Sequence, residues 1–282
     1  MDQKRTFVLG GGGSRGALQV GSLYALHESG LHPDLLIGTS IGAVNAAFLA
    51  LHGYSREGLD LLTSAWRQAS TLDLLPSNYI QRTLRAMLGR SSFNPSQHIR
   101  EFFIEYGITP ELRFSDIKHP QLIIVSSDLN TGRPMLHGDD PGEKVLDGLL
   151  MSTALPPWTM PVKRHSQYLM DGGVVSNLPI EPALRMGATQ ITALDLLDSR
   201  ELFGEGNKFG YFLDRLTFAV QKRQVDLELR LARAQSVPVF YLDLMGEETV
   251  PLWDFHHTEE LIARGYKITK QALTQNSSPI TE

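Results

Sequence analysis

Near its start the chain runs Thr6-Phe7-Val8-Leu9 straight into Gly10-Gly11-Gly12-Gly13, then leaves through Ser14-Arg15-Gly16 into Ala17-Leu18-Gln19-Val20. A short apolar run, a glycine turn and a helical pattern in that order make a strand–turn–helix unit, which commits the N-terminus to an α/β architecture. The unit recurs at once, because Leu35-Leu36-Ile37-Gly38 passes through Thr39-Ser40 into the apolar helical stretch from Ile41 to Leu51. Together with Thr6–Leu9 and Leu35–Gly38, apolar runs at Leu122–Ser126, Gln167–Met170, Gln190–Leu194 and Val239–Leu242 predict strands. Helical patterns start near Ser14, Ile41, Ser55, Gly142, Pro179, Phe209 and Thr258, with Asn177 placed to cap the helix that Pro179 opens. No fixed-period repeat and no linker-like stretch divides the chain, so one domain over residues 1–275 is expected, followed by a polar tail over 276–282.

Composition narrows the class. With 282 residues, 42% hydrophobic and 20% charged, the chain has the balance of a globular protein with a sizeable core. A net charge of -5 offers no field for nucleic acid, so none is expected as a partner. The absence of cysteine excludes disulfides, thiolate catalysis and Cys-based zinc sites. The apolar stretch Thr6–Leu9 is too short for a signal-peptide core, and Ile41–Leu51 is too short to span a bilayer. The expectation is a soluble cytoplasmic protein; transient contact with a membrane surface stays open, as does the oligomeric state.

The glycine run has two chemical readings. Its backbone N–H groups, unobstructed by side chains and backed by a helix N-terminus, make a site for an anion or a developing oxyanion. Gly11, Gly13 and Gly16 also fit G-x-G-x-x-G, the dinucleotide turn. That turn needs an acidic residue at the end of the next strand. Here the strand ends in Gly38-Thr39-Ser40, while Asp34 stands at its opposite end. A plain structural turn does not need four glycines, each of which gives up chain entropy.

Gly38-Thr39-Ser40-Ile41-Gly42 matches G-x-S-x-G between a strand and a helix. Small residues two before and two after the serine let the chain turn sharply and present Oγ above the sheet edge, with the helix dipole directed at it. A serine nucleophile needs a proton acceptor. Among the nine histidines, His256 and His257 come late enough for a Ser40, Asp171, His256 order, the chain order of α/β-hydrolase triads. In that fold, however, the nucleophile follows several strands, and Ser40 follows the second. The alternative acceptor is Asp171 itself, at the end of Tyr168-Leu169-Met170-Asp171 and before the sharp turn that Gly172-Gly173 permits. Burial would raise its pKa and strengthen it as a base.

The glycine loop, the serine elbow about 27 residues on and the distant Asp-Gly-Gly, in this order, resemble the patatin-like phospholipase family, particularly its compact bacterial members. Ser127-Asp128-Leu129-Asn130-Thr131-Gly132, Ser152-Thr153-Ala154-Leu155-Pro156, Asp171 through Pro179 and the late Thr258–Ile262 with Arg264-Gly265-Tyr266 extend the likeness over most of the chain. The resemblance implies a three-layer α/β/α sandwich with a central, mostly parallel sheet. It implies a Ser–Asp dyad without a catalytic histidine, with Ser40 as nucleophile and Asp171 as proton acceptor. Backbone N–H groups around Gly11, Gly12 and Gly13 would hold the oxyanion, with Arg15 near the head group or oxyanion. Gly16, Gly38, Gly42, Gly172 and Gly173 are the motif glycines. The family acts on acyl esters of lipids, so a lipid or fatty acyl ester is the implied substrate, with no cofactor or metal. The chain departs from plant members in lacking an acidic residue before the glycine run, and it carries Asp-Gly-Gly where many members have Asp-Gly-Ala. The stretch from Trp66 to Pro120 matches least.

Three further features have a double reading. Between Asp73 and Glu101 there is no acidic residue, while Arg82, Arg85, Arg90 and Arg100 accompany an apolar stripe of Ile80, Leu84, Met87 and Leu88. Such a helix is either an interfacial anchor or lid, or a surface helix with its stripe on the core. Leu216, Val220, Leu227 and Leu231, with Lys222, Arg223, Arg230 and Arg233 elsewhere, repeat the pattern, and core packing is the expectation there. Trp158, on the approach to Asp171, either lines an acyl pocket or packs in the core.

Overall fold

The computed structural model describes residues 3–71, 95–155, 159–198, 209–245 and 254–277. Strands are β1 (Arg5–Leu9), β2 (Leu35–Thr39), β3 (Gln121–Asp128), β4 (Arg133–His137), β5 (Val162–Arg164), β6 (Gln167–Asp171), β7 (Gln190–Asp195) and β8 (Val239–Asp243). Helices are α1 (Gly16–Glu28), α2 (Ile41–His52), α3 (Arg56–Thr71), α4 (Pro95–Glu105), α5 (Val145–Ser152), α6 (Ile180–Arg185), α7 (Phe209–Ala234) and α8 (Thr258–Ser277). The basic segment around Ile80–Leu88 and Trp158 lie outside the described residues. Of the tail, Asn276 and Ser277 end α8.

The strands form one sheet in the order β5-β6-β3-β2-β1-β7-β8, with β4 against β3. The pairs β3–β2, β2–β1, β1–β7 and β7–β8 are parallel. β4, β5 and β6 pair antiparallel. The central strands are apolar on both faces, as strands covered from both sides must be. Phe7 and Leu9 of β1, Leu36 of β2, and Leu122 and Ile124 of β3 pack with α1, α2 and α3. The alternating Val8, Leu35, Ile37, Ile123 and Val125 pack with α6 and α7. This period of two puts helices on both sides and makes the three-layer sandwich. α1 and α8 cross at backbone contact: a Cβ on Gly21 would lie 1.8 Å from the Ile262 carbonyl oxygen, and one on Gly265 2.0 Å from that of Leu18.

β3 changes neighbours along its length, and this positions the site. Residues 121–125 pair with β2, whereas Ser126, Ser127 and Asp128 pair with Asp171, Met170 and Leu169 of β6. The end of β6 is thereby brought beside the end of β2. Among the described residues no helix is long and apolar enough to cross a membrane.

The short strands β4 and β5 and the helix α4 are absent from the sequence reading. β5 has three residues, and β4 is interrupted by Pro134, so neither presents a run of apolar alternation. The stripe Leu216, Val220, Leu227 and Leu231 differs from its expectation of core packing: these side chains are 49%, 44%, 48% and 37% exposed. α7 turns Val225, Glu228 and Ala232 inward instead. Asn177 does not cap α6, because its side chain is drawn to the glycine loop.

Candidate active site

Ser40 occupies the turn between β2 and α2 with φ 54° and ψ −125°, a backbone conformation that costs energy for a residue with a side chain. The glycines on either side permit the turn. A Cβ on Gly38 would sit 2.4 Å from the Gly42 carbonyl oxygen, and one on Gly42 would sit 2.2 Å from that of Leu9. The turn is held by side chains as well. The Ser40 N–H donates to Ser152 Oγ at 2.9 Å, and Ser152 Oγ donates to the Val125 carbonyl at 2.7 Å. Thr39 Oγ1 donates to the Ser176 carbonyl at 2.9 Å, tying the elbow to the loop after Asp171. The Ser40 carbonyl starts α2 by accepting from the Ala43 N–H at 2.9 Å, so the positive end of that helix lies at the serine.

Asp171 ends β6 and is 5% exposed. Its N–H donates to the Ala154 carbonyl at 2.8 Å, and its carbonyl accepts from Ser127 Oγ at 2.8 Å, which fixes the backbone on both sides. Its carboxylate accepts from the Gly173 N–H at 2.8 Å, and the nearby Ser40 side chain favours its ionised form. Burial pushes the carboxyl up to about 6, against the opposing pull of the Ser40 side chain and the Gly173 N–H. Serine and aspartate therefore face the same cavity, close enough to influence one another.

The glycine loop approaches from β1. The Gly11 N–H donates to the Asn177 carbonyl at 3.0 Å, and the Gly11 carbonyl accepts from Asn177 Nδ2 at 3.3 Å. This occupies the Gly11 N–H and sets the loop against the Asp171 segment. A Cβ on Gly11 would lie 3.2 Å from Ser40 Cβ, a measure of how near the loop runs to the serine. The N–H groups of Gly12 and Gly13 donate to no described residue, and Gly13 lines the cavity in front of Ser40. Arg15 is 2% exposed in the turn that starts α1 and is not among the residues that line that cavity. Gly16 packs beneath, where a Cβ would meet Ile41 and Trp66 at 2.6 and 2.8 Å. Gly172 lies under the Val125 carbonyl, where a Cβ would come within 2.4 Å of the oxygen.

Ser40 and Asp171 open into a cavity of about 150 Å³. Its walls are otherwise mostly apolar: Val44 and Phe48 of α2, Leu62 and Trp66 of α3, Phe102 of α4, and Phe255 ahead of α8. Trp66 is fixed by its indole N–H on Asn45 Oδ1 at 2.9 Å and stacks on Phe255 with ring centroids 5.8 Å apart. The sequence reading missed these walls. They come from separate helices whose apolar residues look like ordinary core, and α3 and α4 fall in the least motif-bearing stretch of the chain.

Among the described residues no histidine lines the cavity. His256 and His257 are exposed, and His257 faces Asp254 and Glu260 at 3.6 and 3.1 Å. His137 is buried elsewhere, with Nε2 2.8 Å from Ser126 Oγ. Among the described residues no group of three or more His, Asp or Glu side chains could hold a metal ion.

Several known proteins are similar to this chain. The mouse patatin-like phospholipase domain-containing protein 6 is 32% identical over 190 residues, 67% of this chain. A lysophospholipase nte1 from Aspergillus terreus is 27% identical over 73% of it. The chain spans only 13% of the length of either relative. Among solved structures, VipD from Legionella pneumophila superposes with a TM-score of 0.45 and 17% identity, over 98% of this chain and 67% of that one. The family model for patatin-like phospholipase matches residues 7–184, a span that holds the glycine loop, the serine elbow and Asp171. The chain belongs to the patatin-like phospholipase family.

Proposed function

We propose that the protein is a serine hydrolase of lipid acyl esters, of the phospholipase A or lysophospholipase type, working through a Ser40–Asp171 dyad. One observation carries the reading: Ser40 and the buried Asp171 carboxyl line the same apolar cavity, the serine side chain close enough to favour the ionised carboxylate. The family and the lysophospholipase relative support a lipid ester as substrate.

In the first step Asp171 takes the Ser40 proton as Oγ attacks the ester carbonyl. The N–H groups of Gly12 and Gly13 stabilise the oxyanion, while Gly11, engaged by Asn177, braces the loop. Protonated Asp171 returns its proton to the departing alcohol, which leaves an acyl group on Ser40. Water, losing a proton to the same carboxylate, then attacks the acyl-enzyme, and Asp171 passes that proton to Ser40 Oγ as it leaves, which frees the fatty acid and restores the dyad. A carboxyl held at about 6 is ionised at neutral pH and is still a stronger base than an exposed aspartate. The acyl chain occupies the space between α2, α3 and α4.

The test is hydrolysis of a chromogenic medium-chain acyl ester by the native chain, Ser40→Ala, Asp171→Asn and the double variant His256→Ala/His257→Ala. Loss of turnover in the first two variants with retention in the third supports the dyad. Loss in a folded histidine variant would favour a Ser–His–Asp triad. Phospholipids and lysophospholipids with defined head groups then give the substrate class.

A further inference from the structure

The turn after Asp171 is built on Gly172-Gly173, residues that bring no side chain to fix their own conformation. Its geometry therefore depends on what grips it from outside: Thr39 Oγ1 holds the Ser176 carbonyl, and three side chains of one helix add their own hold. Gln221, Gln224 and Glu228 lie at i, i+3 and i+7 on one face of α7. Gln221 Nε2 donates to the Gly173 carbonyl at 3.1 Å and approaches Asn177 Oδ1 at 3.4 Å. Gln224 Nε2 donates to the Val174 carbonyl at 2.6 Å. The two oxygens of Glu228 accept from Ser176 Oγ and from the Glu181 N–H, each at 2.7 Å. Asn177 passes the hold onward, because its carbonyl and its amide bracket Gly11. A run of bonds thus joins α7 to the turn behind the carboxylate and to the glycine loop, although none of the three α7 side chains lines the cavity.

The choice of residue types is informative. The same helix buries Val225 and Ala232, so apolar side chains would suffice for packing alone. Long amides and a carboxylate in such a place lose side-chain entropy and hydration. What they gain is direction, since each amide N–H is aimed at one backbone carbonyl.

We propose that Gln221 and Gln224, supported by Glu228, are positioning residues for the catalytic carboxylate: α7 holds the turn that aims Asp171 at Ser40 and, through Asn177, sets the glycine loop at its distance from both. This rests on the reading of Ser40 and Asp171 as the reacting pair. Misplacing a reacting group by ~1 Å costs on the order of 100-fold in rate, so loosening the turn acts on turnover more than on binding.

The test uses the full chain with Gln221→Met, Gln224→Met and their double variant, which keep side-chain length and remove the amide donors. Gln224→Lys retains a donor of similar reach. kcat and KM on the chromogenic ester, the pH profile and the thermal midpoint are measured beside Asp171→Asn. The double variant is expected to lose at least about tenfold in kcat, with KM within about twofold. The acid limb of its profile should move downward as water reaches the carboxylate; Glu228 is present in both chains and does not create that difference. Gln224→Lys should stay near native kcat. If the folded Met variants keep full kcat and an unmoved acid limb, or lose only thermal stability, the positioning role is overturned. Should the double variant fail to fold, the single variants decide by the same readings. Retention of turnover by Asp171→Asn would instead sink the dyad itself, whatever the glutamines do.

Discussion

Replacing Asp171 by asparagine should abolish turnover and stabilise the fold, with a pH dependence that identifies the carboxylate as the cause. Burial raises the carboxyl to about 6 against an ordinary 3.8. Each pH unit between the two values is worth about 1.36 kcal/mol, so the ionised form costs the folded state about 3 kcal/mol. The sign follows from proton binding. Between about 3.8 and about 6 the folded state holds more protons than the unfolded state, so stability falls as pH rises through that window. Below it the carboxyl is protonated in both states and no cost remains; above it the full cost applies. Asparagine is never charged and can still accept from the Gly173 N–H. The stability difference between Asp171→Asn and the native chain should therefore rise by about 2 kcal/mol from pH 4 to pH 7.5. Asp195 and Glu228, also raised by burial, are present in both chains and cancel in the difference. Urea unfolding of the two chains at five or six pH values measures it. A difference that stays flat across the range refutes the assignment of a buried, charged Asp171.

Three more outcomes are expected. Since attack requires ionised Asp171, kcat/KM should fall about tenfold per pH unit below about 6, and a rate that holds level down to pH 4.5 would count against this carboxylate as the base. Ser152→Ala strands the Ser40 N–H and the Val125 carbonyl, so it should cost about 1–3 kcal/mol by urea unfolding and lower kcat more than it raises KM. Val44→Phe pushes a ring into the cavity wall, which should shift the ratio of kcat/KM for short over long acyl esters upward by about tenfold or more; an unchanged ratio would place the acyl chain elsewhere.

Local chemistry in the sequence sufficed for the elements that carry the reaction. Thr6–Leu9 followed by glycines, and Leu35–Gly38 followed by Ser40 and an apolar helix, can do little other than form strand, tight turn and helix. The helices starting near Ile41, Ser55 and Thr258 and the strands around Leu122, Gln167, Gln190 and Val239 are legible for the same reason: each pattern is complete within its own segment. Three kinds of information are not local. That β3 leaves β2 for β6, and so brings Asp171 beside Ser40 across more than a hundred residues, depends on strand pairing that no short window contains. The apolar walls of the cavity lie on α2, α3 and α4, where their spacing says only that one side of each helix is covered. On α7 the periodicity itself misleads, since the apolar stripe faces outward and the amides face in. Hydrophobic spacing fixes a helix and its faces, but which face meets the sheet is set by partners. At α7 the Gly173 and Val174 carbonyls take donors from Gln221 and Gln224, and the helix face that carries these amides beside Val225 and Ala232 is turned toward the turn and the sheet, which leaves the aliphatic stripe in water.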